Sequence, residues 1–258
     1  VIDLCRQKQV FASETPANRN FYGHGFFSAD GRLLFASEND FENDLGVIGI
    51  YSVGNAYNRI GEFETKGIGP HQILLKSDKN TIVVANGGIA THPDFPGQKL
   101  NLESMSPSLT YLNVVSGEVI DQALMPKSFQ QLSIRHISEA NDGSIWFGGQ
   151  YEGYLKDKVP LVGRHVRSQE IEFIQEDASV YQEMKQYVGS VVGSHDRSLI
   201  ATTGPRGGLV LIWDTAKLKL ISKRSIPDVC GAAPFDHDFF LAMAVAIYGT
   251  RIQKSLSV

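Results

Sequence analysis

The sequence is short of the features that would identify most functional classes directly. Only two of its 258 residues are cysteine, Cys5 and Cys230, so a disulfide framework is excluded, although one pair still allows either a disulfide or two free thiols. The formal net charge is −4, which argues against nucleic acid as the main partner. No run approaches the roughly 18–20 apolar residues of a transmembrane segment.

Local catalytic and cofactor motifs are also missing. Ser28, Ser190 and the other hydroxyls show no nucleophile elbow, and no glycine-rich phosphate loop is present, so serine hydrolases and nucleotide-binding proteins lack support. No CxxC or HxxxH spacing indicates a metal by itself. The N-terminus has no basic segment followed by an apolar one, so the chain as printed carries no recognisable export signal.

What the sequence does contain is a repeated β-hairpin pattern. In its clearest form it runs YGHGFFSADGRLLFASEND, from Tyr22 to Asp40, with Asp30-Gly31 as the turn between two largely apolar runs. The same pattern returns four more times at intervals of about 40 to 64 residues. The turn aspartates are Asp30, Asp78, Asp142, Asp196 and Asp236.

An irregular repeat of this length, made of strands, predicts an all-β fold, a β-propeller of four-stranded antiparallel blades. We expect four complete and two partial blades in a single domain over 1–258, and six to eight blades in the intact ring, because a propeller closes to remove exposed strand edges. The expected blades cover approximately 1–15 (partial), 20–66, 68–126, 130–176, 187–227 and 228–258 (partial).

Two insertions and one helix interrupt the repeat. The second blade carries the proline-containing segment IATHPDFPGQKLNLESMSP, and the third is expected to carry YEGYLKDKVPLVGRHV before its next strand. A short helix is predicted in DASVYQEMKQY, with Asp177 as N-cap and Glu183 and Lys185 facing solvent. The tail after Ala242 lacks the turn-and-strand rhythm.

Aligning the hairpins on their turn aspartates predicts a recurring position on the first strand of each blade. His24 and His136 lie six residues before their aspartates, and His71 lies seven before Asp78, in a hairpin whose turn is expected to absorb the additional residue. The first strands of a propeller line its channel, so equivalent positions form a ring around the axis. The five occupants are His24, His71, His136, Ser190 and Cys230.

Two interpretations of this ring stay open. The histidines are candidate metal ligands or proton-transfer groups at the channel mouth, with Fe, Zn or Cu as candidate metals. Alternatively, each histidine bonds within its own blade, as buried polar groups generally must. Recurrence is the only argument for a shared site. Further candidates to complete it are Glu38, Asp40, His92 and Cys230.

The loops after the second strands emerge at the end where the histidine-bearing strands begin, so one face collects the unusual residues. Paired glycines there permit positive φ and close approach to a ligand, but they also serve ordinary turns. Arg135 and Arg206 are candidate anion-binding groups, with pairing to Glu38 or Asp40 as the alternative. The loop candidates are Asn86, Gly87, Gly88, Tyr151, Gly207 and Gly208, and the first insertion adds His92.

Several segments in combination resemble a known family. They are GHGFFSADGRLLFASEND, GPHQILL, VVANGGIATHPDFPG, LNLESMSPSLTYLNVVSGE, QLSIRHI, YVGSV, GPRGG and DVCGAA. These are similar to segments of an uncharacterised bacterial family of periplasmic, YVTN-like β-propellers, often encoded beside imelysin-like iron-associated lipoproteins. The resemblance implies about seven blades, a periplasmic location in the cell envelope and a link to iron acquisition; no family activity is established.

Two functional hypotheses follow. In the first, a propeller without catalytic activity binds a small ligand or an envelope protein on its histidine-bearing face, as an accessory of iron acquisition; the resemblance makes an imelysin-like protein a candidate partner. In the second, the histidine cluster at the channel mouth forms a metal-binding site or the centre of a metal-dependent enzyme. Convergence of the three imidazoles would favour the second hypothesis, and bonding of each within its blade would disfavour it.

Overall fold

The fold is a series of antiparallel sheets that follow one another along the chain. A computed structural model describes residues 1–236, 238–243 and 247–248, the last two by backbone alone. Four sheets have four strands each, in chain order; a two-stranded sheet precedes them and a three-stranded sheet follows. This all-β arrangement of four complete and two partial blades confirms the predicted fold class. The predicted domain boundaries stay a prediction.

The strands have the following bounds. The first, two-stranded sheet holds β1 (Ile2–Asp3) and β2 (Lys8–Gln9). The first full blade holds β3 (Arg19–Phe27), β4 (Leu33–Asp40), β5 (Leu45–Ser52) and β6 (Asn58–Glu64), and the second holds β7 (Pro70–Leu75), β8 (Thr81–Asn86), β9 (Ser108–Asn113) and β10 (Val119–Leu124).

The later sheets continue in the same way. The third blade holds β11 (Leu132–Glu139), β12 (Ile145–Tyr151), β13 (Val162–His165) and β14 (Glu172–Phe173), and the fourth holds β15 (Ser190–Gly193), β16 (Leu199–Gly204), β17 (Leu209–Asp214) and β18 (Lys219–Ser225). The last sheet holds β19 (Val229–Phe235), β20 (Asp238–Met243) and β21 (Ile247–Tyr248).

Burial explains why these segments stack as blades. Every residue of β8 and of β16 is buried, since the middle strands of a blade pack against neighbouring blades on both faces. The fourth strands β6 and β18 alternate between half-buried and exposed residues, as expected of an outer edge with one face in water. The largest apolar core joins the second, third and fourth blades around Trp146 and Trp213.

The hairpin turns between first and second strands form as their aspartates predict. Asp30, Asp78 and Asp142 each accept a hydrogen bond from the backbone N–H two residues on, which closes the turn locally. The first strands β3, β7, β11, β15 and β19 are neighbours in that order. They therefore line the side of the molecule on which the predicted ring of side chains lies.

The third blade corrects one expectation. The segment predicted as an insertion contains the blade's third strand, β13, whose Val162 pairs with Gly148 and whose His165 pairs with Ile145. The strand is only four residues long and follows Pro160 closely, so its apolar pattern is too short to stand out in the sequence. The true insertion ends before Val162.

The predicted helix is α1 (Ala178–Glu183), and the Asp177 side chain caps it by accepting from the Ser179 N–H. Cys5 and Cys230 are free thiols. Within the described ranges, no helix has the length and apolar character that crossing a membrane requires. Most of the tail after Met243 lies outside the described residues.

Candidate metal site

Three histidines from three blades converge on one point of the channel. One ring nitrogen each of His24, His71 and His136 lies within 4.8 Å of the other two. Their ring centroids are 4.9 to 5.4 Å apart. The first strands β3, β7 and β11 deliver these side chains from consecutive blades. The described residues contain no other group of three or more His, Cys, Asp or Glu placed to share a metal ion.

β-Bulges aim these side chains. The ladder between first and second strands shifts register between Phe21 and Gly25, between Pro70 and Gln72, and between Ile134 and His136. A bulge inserts a residue into one strand and redirects the side chains beside it, and such irregularities are common next to functional sites. The irregularity therefore recurs in each blade where a histidine enters the channel.

The bulge also corrects the predicted alignment of His71. The turns of the first two blades close with the same spacing, from the Ser28 N–H to the Leu33 carbonyl and from the Lys76 N–H to the Thr81 carbonyl. The second turn therefore absorbs no additional residue. Gln72, not His71, occupies the position of His24 and His136, and His71 enters the cluster from the bulge itself.

Hydrogen bonds fix the tautomers of two of the rings. His71 Nδ1 lies 3.2 Å from the Arg135 carbonyl, which can only accept, so His71 carries its proton on Nδ1. The Gln72 amide donates from Nε2 to the Ile137 carbonyl (3.0 Å) and accepts at Oε1 from the Ile137 N–H (3.1 Å). That orientation leaves Oε1 facing His136 Nδ1 at 3.2 Å, so His136 also donates from Nδ1.

In both rings Nε2 is therefore unprotonated. Its lone pair can bind a metal. In metal proteins the second ring nitrogen usually donates to a carbonyl, amide or carboxylate, and this fixes the ring. His71 and His136 already make such bonds. For His24, the described residues provide no hydrogen bond to the ring.

The strands that carry His24 and His71 approach each other unusually closely. A Cβ on Gly23 would lie 2.1 Å from the His71 carbonyl oxygen, so only glycine fits there. Ser37 Oγ, which is fully buried, donates to the carbonyls of His24 (3.0 Å) and His71 (3.3 Å) as alternatives and accepts from the His24 N–H. These contacts hold the first two rings side by side.

The electrostatics keep the cluster neutral at neutral pH. Burial, with smaller effects from the charges of Arg135 and His24, lowers the pKa of His71 to about 4. Burial and the neighbouring His71, His24 and Arg135 lower the pKa of His136 to about 3. Part of His24 is exposed, yet burial lowers its pKa as well. A metal would not have to displace protons from these rings at pH 7.

The predicted acidic members of the site lie elsewhere. Glu38 is fully buried and bonds to the Tyr51 hydroxyl (2.5 Å) and to Arg59 (2.9 Å). Asp40 pairs with Arg19 and accepts from Asn43. Burial would raise the pKa of Asp40, but the bonds from Asn43 and Arg19 outweigh it and lower the pKa. Both carboxylates are thus held within their blade.

The remaining ring candidates also lie outside the cluster. His92 lies in the first insertion and packs edge-on against Phe41. Its Nδ1 accepts from the Asp94 N–H (3.1 Å). Ser190 is the first residue of β15 and Cys230 the second residue of β19, and the Cys230 carbonyl accepts from Thr203 Oγ1 (2.6 Å). Cys230 does not group with the three histidines.

The predicted loop residues have structural partners. Asn86 donates to Thr65, Ser108 and Thr110 in the blade interior, and the Tyr151 hydroxyl donates to Asp157 at 2.8 Å. The glycines fit close backbone packing or positive φ. A Cβ on Gly87 would meet Ser133 Oγ at 2.8 Å, one on Gly207 the Glu183 carbonyl at 2.0 Å, and Gly88 and Gly208 have φ of 73° and 64°.

The two arginine candidates differ. The guanidinium of Arg206 lies over the Tyr187 ring, 4.4 Å from its centroid. Arg135 occupies the bulge beside His136. The expected alternative, pairing with Glu38 or Asp40, is wrong for both, because those carboxylates bind Arg59 and Arg19.

Sequence reasoning missed Gln72, Ser37 and Gly23, which position the histidines. The signal for Gln72 was available: it lies six residues before Asp78, the same interval that separates His24 from Asp30 and His136 from Asp142. Ser37 and Gly23 left no comparable signal, because their role depends on contacts between neighbouring blades.

Fold and site together define the class: a β-propeller whose channel strands bring three imidazoles to one point. The chain belongs to the family described as "Protein of unknown function (DUF1513)", whose model matches residues 1–255. No curated protein matches the chain. The predicted resemblance is thus confirmed as membership of a family without assigned function and with a propeller fold; its periplasmic, YVTN-like and imelysin-linked aspects stay predictions.

Solved structures confirm the fold. A structure of Kuenenia stuttgartiensis hydrazine synthase aligns with 98% of this chain and 77% of its own, with a TM-score of 0.64 and 12% identity. The Cps50 (Swd1) β-propeller domain from Myceliophteria thermophila aligns over 90% of this chain and 65% of its own (TM-score 0.60, 9% identity). A chain of the Mitotic Checkpoint Complex aligns over 90% of this chain and 61% of its own (TM-score 0.60, 11% identity). At these identities the likeness concerns the fold alone.

Proposed function

We propose that this propeller binds a divalent transition metal through His24, His71 and His136. The observation that carries the proposal is the convergence of three neutral imidazoles, one from each of three consecutive blades, with one nitrogen of each within 4.8 Å of the others. Bonding of each ring within its own blade, the alternative to a shared site, fits poorly, because His71 and His136 bond across to neighbouring blades.

Imidazole donors suit Fe²⁺, Zn²⁺ and Cu²⁺ rather than Mg²⁺ or Ca²⁺, which prefer oxygen. Zn²⁺ sits about 2.0–2.1 Å from each nitrogen, so tetrahedral ligands lie about 3.4 Å apart. A metal would therefore draw the rings slightly inward. Three protein ligands leave a coordination position open, so the bound metal can take up an exogenous ligand or activate a water.

The cellular setting of the proposal comes from the sequence resemblance. It supports a periplasmic, YVTN-like propeller that serves iron acquisition, with Fe²⁺ as the physiological metal. The three-histidine site is chemically suited to that role, since imidazole is a common ligand of Fe²⁺. Localisation of the full-length protein by cell fractionation tests the periplasmic part separately: recovery with the cytoplasm would remove it and leave the metal site unaffected.

A protein partner on the same face is the second candidate function. The insertions of the second and third blades both leave from the end where the histidine strands begin, and Lys99 of one pairs with Glu152 of the other. They expose Leu100 and Tyr154 to solvent. An imelysin-like protein is the partner that the resemblance supports. Mixing the two proteins tests it: a complex should form and should weaken when Tyr154 is changed to Ser.

Metal content tests the main proposal. The protein is purified without chelator, its metals are determined by mass spectrometry, and the measurement is repeated after loading with Fe²⁺, Zn²⁺ or Cu²⁺. We expect close to one metal ion per chain in the wild type. The triple variant His24→Ala, His71→Ala, His136→Ala should contain none. His92→Ala is the matched control, because it removes a histidine of the same face outside the cluster. Stoichiometric metal in the triple variant, with circular dichroism unchanged, would refute the site.

A further inference from the structure

Arg135 lies directly beside the three histidines. It is the bulge residue between Ile134 and His136, and its carbonyl accepts the hydrogen bond from His71 Nδ1. Its position therefore depends on the same backbone irregularity that aims His136 into the channel. Arg135 is thus adjacent in sequence to one of the three histidines and in contact through its carbonyl with a second.

Arg135 is partly buried and has no acidic partner among the described residues. Arg19, Arg59, Arg164 and Arg197 each form ion pairs with Asp or Glu. The Nε atom of Arg135 is fully enclosed and has no acceptor. The other two guanidinium nitrogens also make no hydrogen bond to the described residues, and a partly buried guanidinium without acceptors is costly unless an anion supplies them. The arginine is therefore suited to receive an anionic ligand.

The charge of a loaded site points the same way. Three neutral imidazoles leave the full charge of a divalent metal uncompensated, and the ligand cluster contains no carboxylate. Arg135 adds another positive charge beside it. Opposite charge is needed to bring such a site toward neutrality in a partly desolvated channel. Among the described residues, no carboxylate joins the cluster to supply this negative charge, so an exogenous anion fits the open coordination position.

We propose that the site binds its metal together with a small anionic oxygen ligand, a carboxylate or a phosphate-type oxyanion, which coordinates the metal and accepts hydrogen bonds from Arg135. This inference rests on the proposed metal site. It assigns to Arg135 the fork geometry with which guanidinium groups hold carboxylates and phosphates. The metal is then bound as a metal–anion pair, and Arg135 distinguishes such pairs from the bare ion.

Cobalt provides a direct test, because Co²⁺ occupies sites of this kind and its visible absorption spectrum responds to its ligands. The Co²⁺-loaded protein is titrated with acetate and, separately, with inorganic phosphate, at constant ionic strength set by perchlorate. A saturable spectral change is expected with at least one anion, and the anion that produces it distinguishes a carboxylate from a phosphate-type ligand. Arg135→Gln should raise the half-saturating concentration about tenfold or more, since charge-assisted bonds to the anion are lost.

The variants separate an effect on the anion from an effect on the metal. Without added anion, Arg135→Gln should bind Co²⁺ at least as tightly as the wild type, because a like charge has been removed. Arg135→Lys keeps the charge without the fork and should give an intermediate half-saturating concentration. Arg206→Gln is the matched control, an arginine on the same face held over Tyr187, and should leave both titrations unchanged.

Three results would overturn the inference. If wild-type Co²⁺ protein responds to neither anion, or if Arg135→Gln responds like the wild type, the metal site stands and the anion ligand falls. If both Arg135 variants fail to bind Co²⁺, Arg135 supports the fold of the site instead of holding an anion. If the wild type itself binds no Co²⁺, the metal site and this inference fail together.

Discussion

Two histidine environments show what separates a structural histidine from a candidate ligand. His165 in β13 is buried, accepts at Nδ1 from the Tyr111 hydroxyl at 2.7 Å and donates from Nε2 to the Gln169 carbonyl at 2.9 Å. Both of its nitrogens are occupied. His71 and His136 each use only Nδ1, and the ring nitrogens of the cluster face a shared space. His165 is more buried than the channel rings, but His71 and His136 keep a ring nitrogen with a free lone pair.

Removing one histidine of each kind tests most clearly whether the two kinds have different roles. His136→Ala should weaken Zn²⁺ binding by more than about 100-fold, because even partners of metal ligands are worth about 10–100-fold. His165→Leu should leave Zn²⁺ binding unchanged but lower the free energy of unfolding by about 1–3 kcal/mol, since the buried Tyr111 hydroxyl loses its acceptor. Competition titration and urea unfolding measure the two effects. The contrast fails if both variants lose metal equally.

The close approach of β3 and β7 comes next in expected effect. Gly23→Ala places a methyl group 2.1 Å from the His71 carbonyl, so the strands must separate and move His24 away from His71. We expect a loss of about 1–3 kcal/mol in unfolding free energy, together with weaker metal binding. Gly61→Ala is the control in the same blade, because its Cβ would meet nothing within 4 Å. Equal behaviour of the two variants would contradict the role given to Gly23.

Gln72 sharpens the comparison through the tautomer of His136. Gln72→Leu removes the acceptor at Nδ1 and should weaken Zn²⁺ binding by about 10–100-fold. Gln122→Leu, which removes an amide that bonds to Lys66 and Thr110 on the outer side of the same blade, should leave binding unchanged. Nitrogen-15 NMR of the metal-free protein should also show His136 protonated on Nδ1 in the wild type. A Gln72→Leu variant with full affinity would show that this bond does not prepare the ring.

The last expected effect is on the acid stability of the metal-free protein. The folded pKa values of about 4 for His71 and about 3 for His136 lie below the ordinary 6.5, so the unfolded chain takes up protons first. The free energy of unfolding therefore contains the whole contribution of these rings above pH 6.5 and falls as the pH drops from 6.5 toward 4. Each histidine lowers it by up to about 1.4 kcal/mol per pH unit. Urea unfolding at pH 7 and pH 5 measures the decline.

The triple alanine variant is the reference for that decline and should lose less stability between the two pH values. His165, whose pKa burial also lowers, is retained in both proteins, so its contribution cancels. An identical decline in the wild type and the variant would mean that the channel rings are not held neutral by burial.

The sequence carried much of the fold because hairpin turns are local. The aspartates at Asp30, Asp78 and Asp142 accept from the backbone two residues on, so each turn is visible without tertiary context. Counting back from these turns predicted the channel strands, His24 and His136, whereas His71 was included only by assuming a longer turn that the structure does not have. The four-residue strand β13 was missed, because its pattern is too short to separate from the loop before it.

The site was less predictable where it depends on contacts between strands and blades. The bulge that brings His71 beside His136 is a property of strand pairing, and the count from Asp78 alone suggested a longer turn instead. Glu38 and Asp40 were expected near the histidines. Their partners Arg59 and Arg19 lie on other strands of the same blade, and only the folded register brings these charges together.

Anomalous X-ray diffraction from crystals of the Zn²⁺-loaded protein tests the central claim most directly. The account predicts one strong anomalous peak in the channel, about 2.0–2.1 Å from a nitrogen of each of His24, His71 and His136, with an exogenous ligand at the fourth position. A protein that binds no Zn²⁺ under these conditions, or a peak coordinated by other residues while the three rings stay apart, would contradict it.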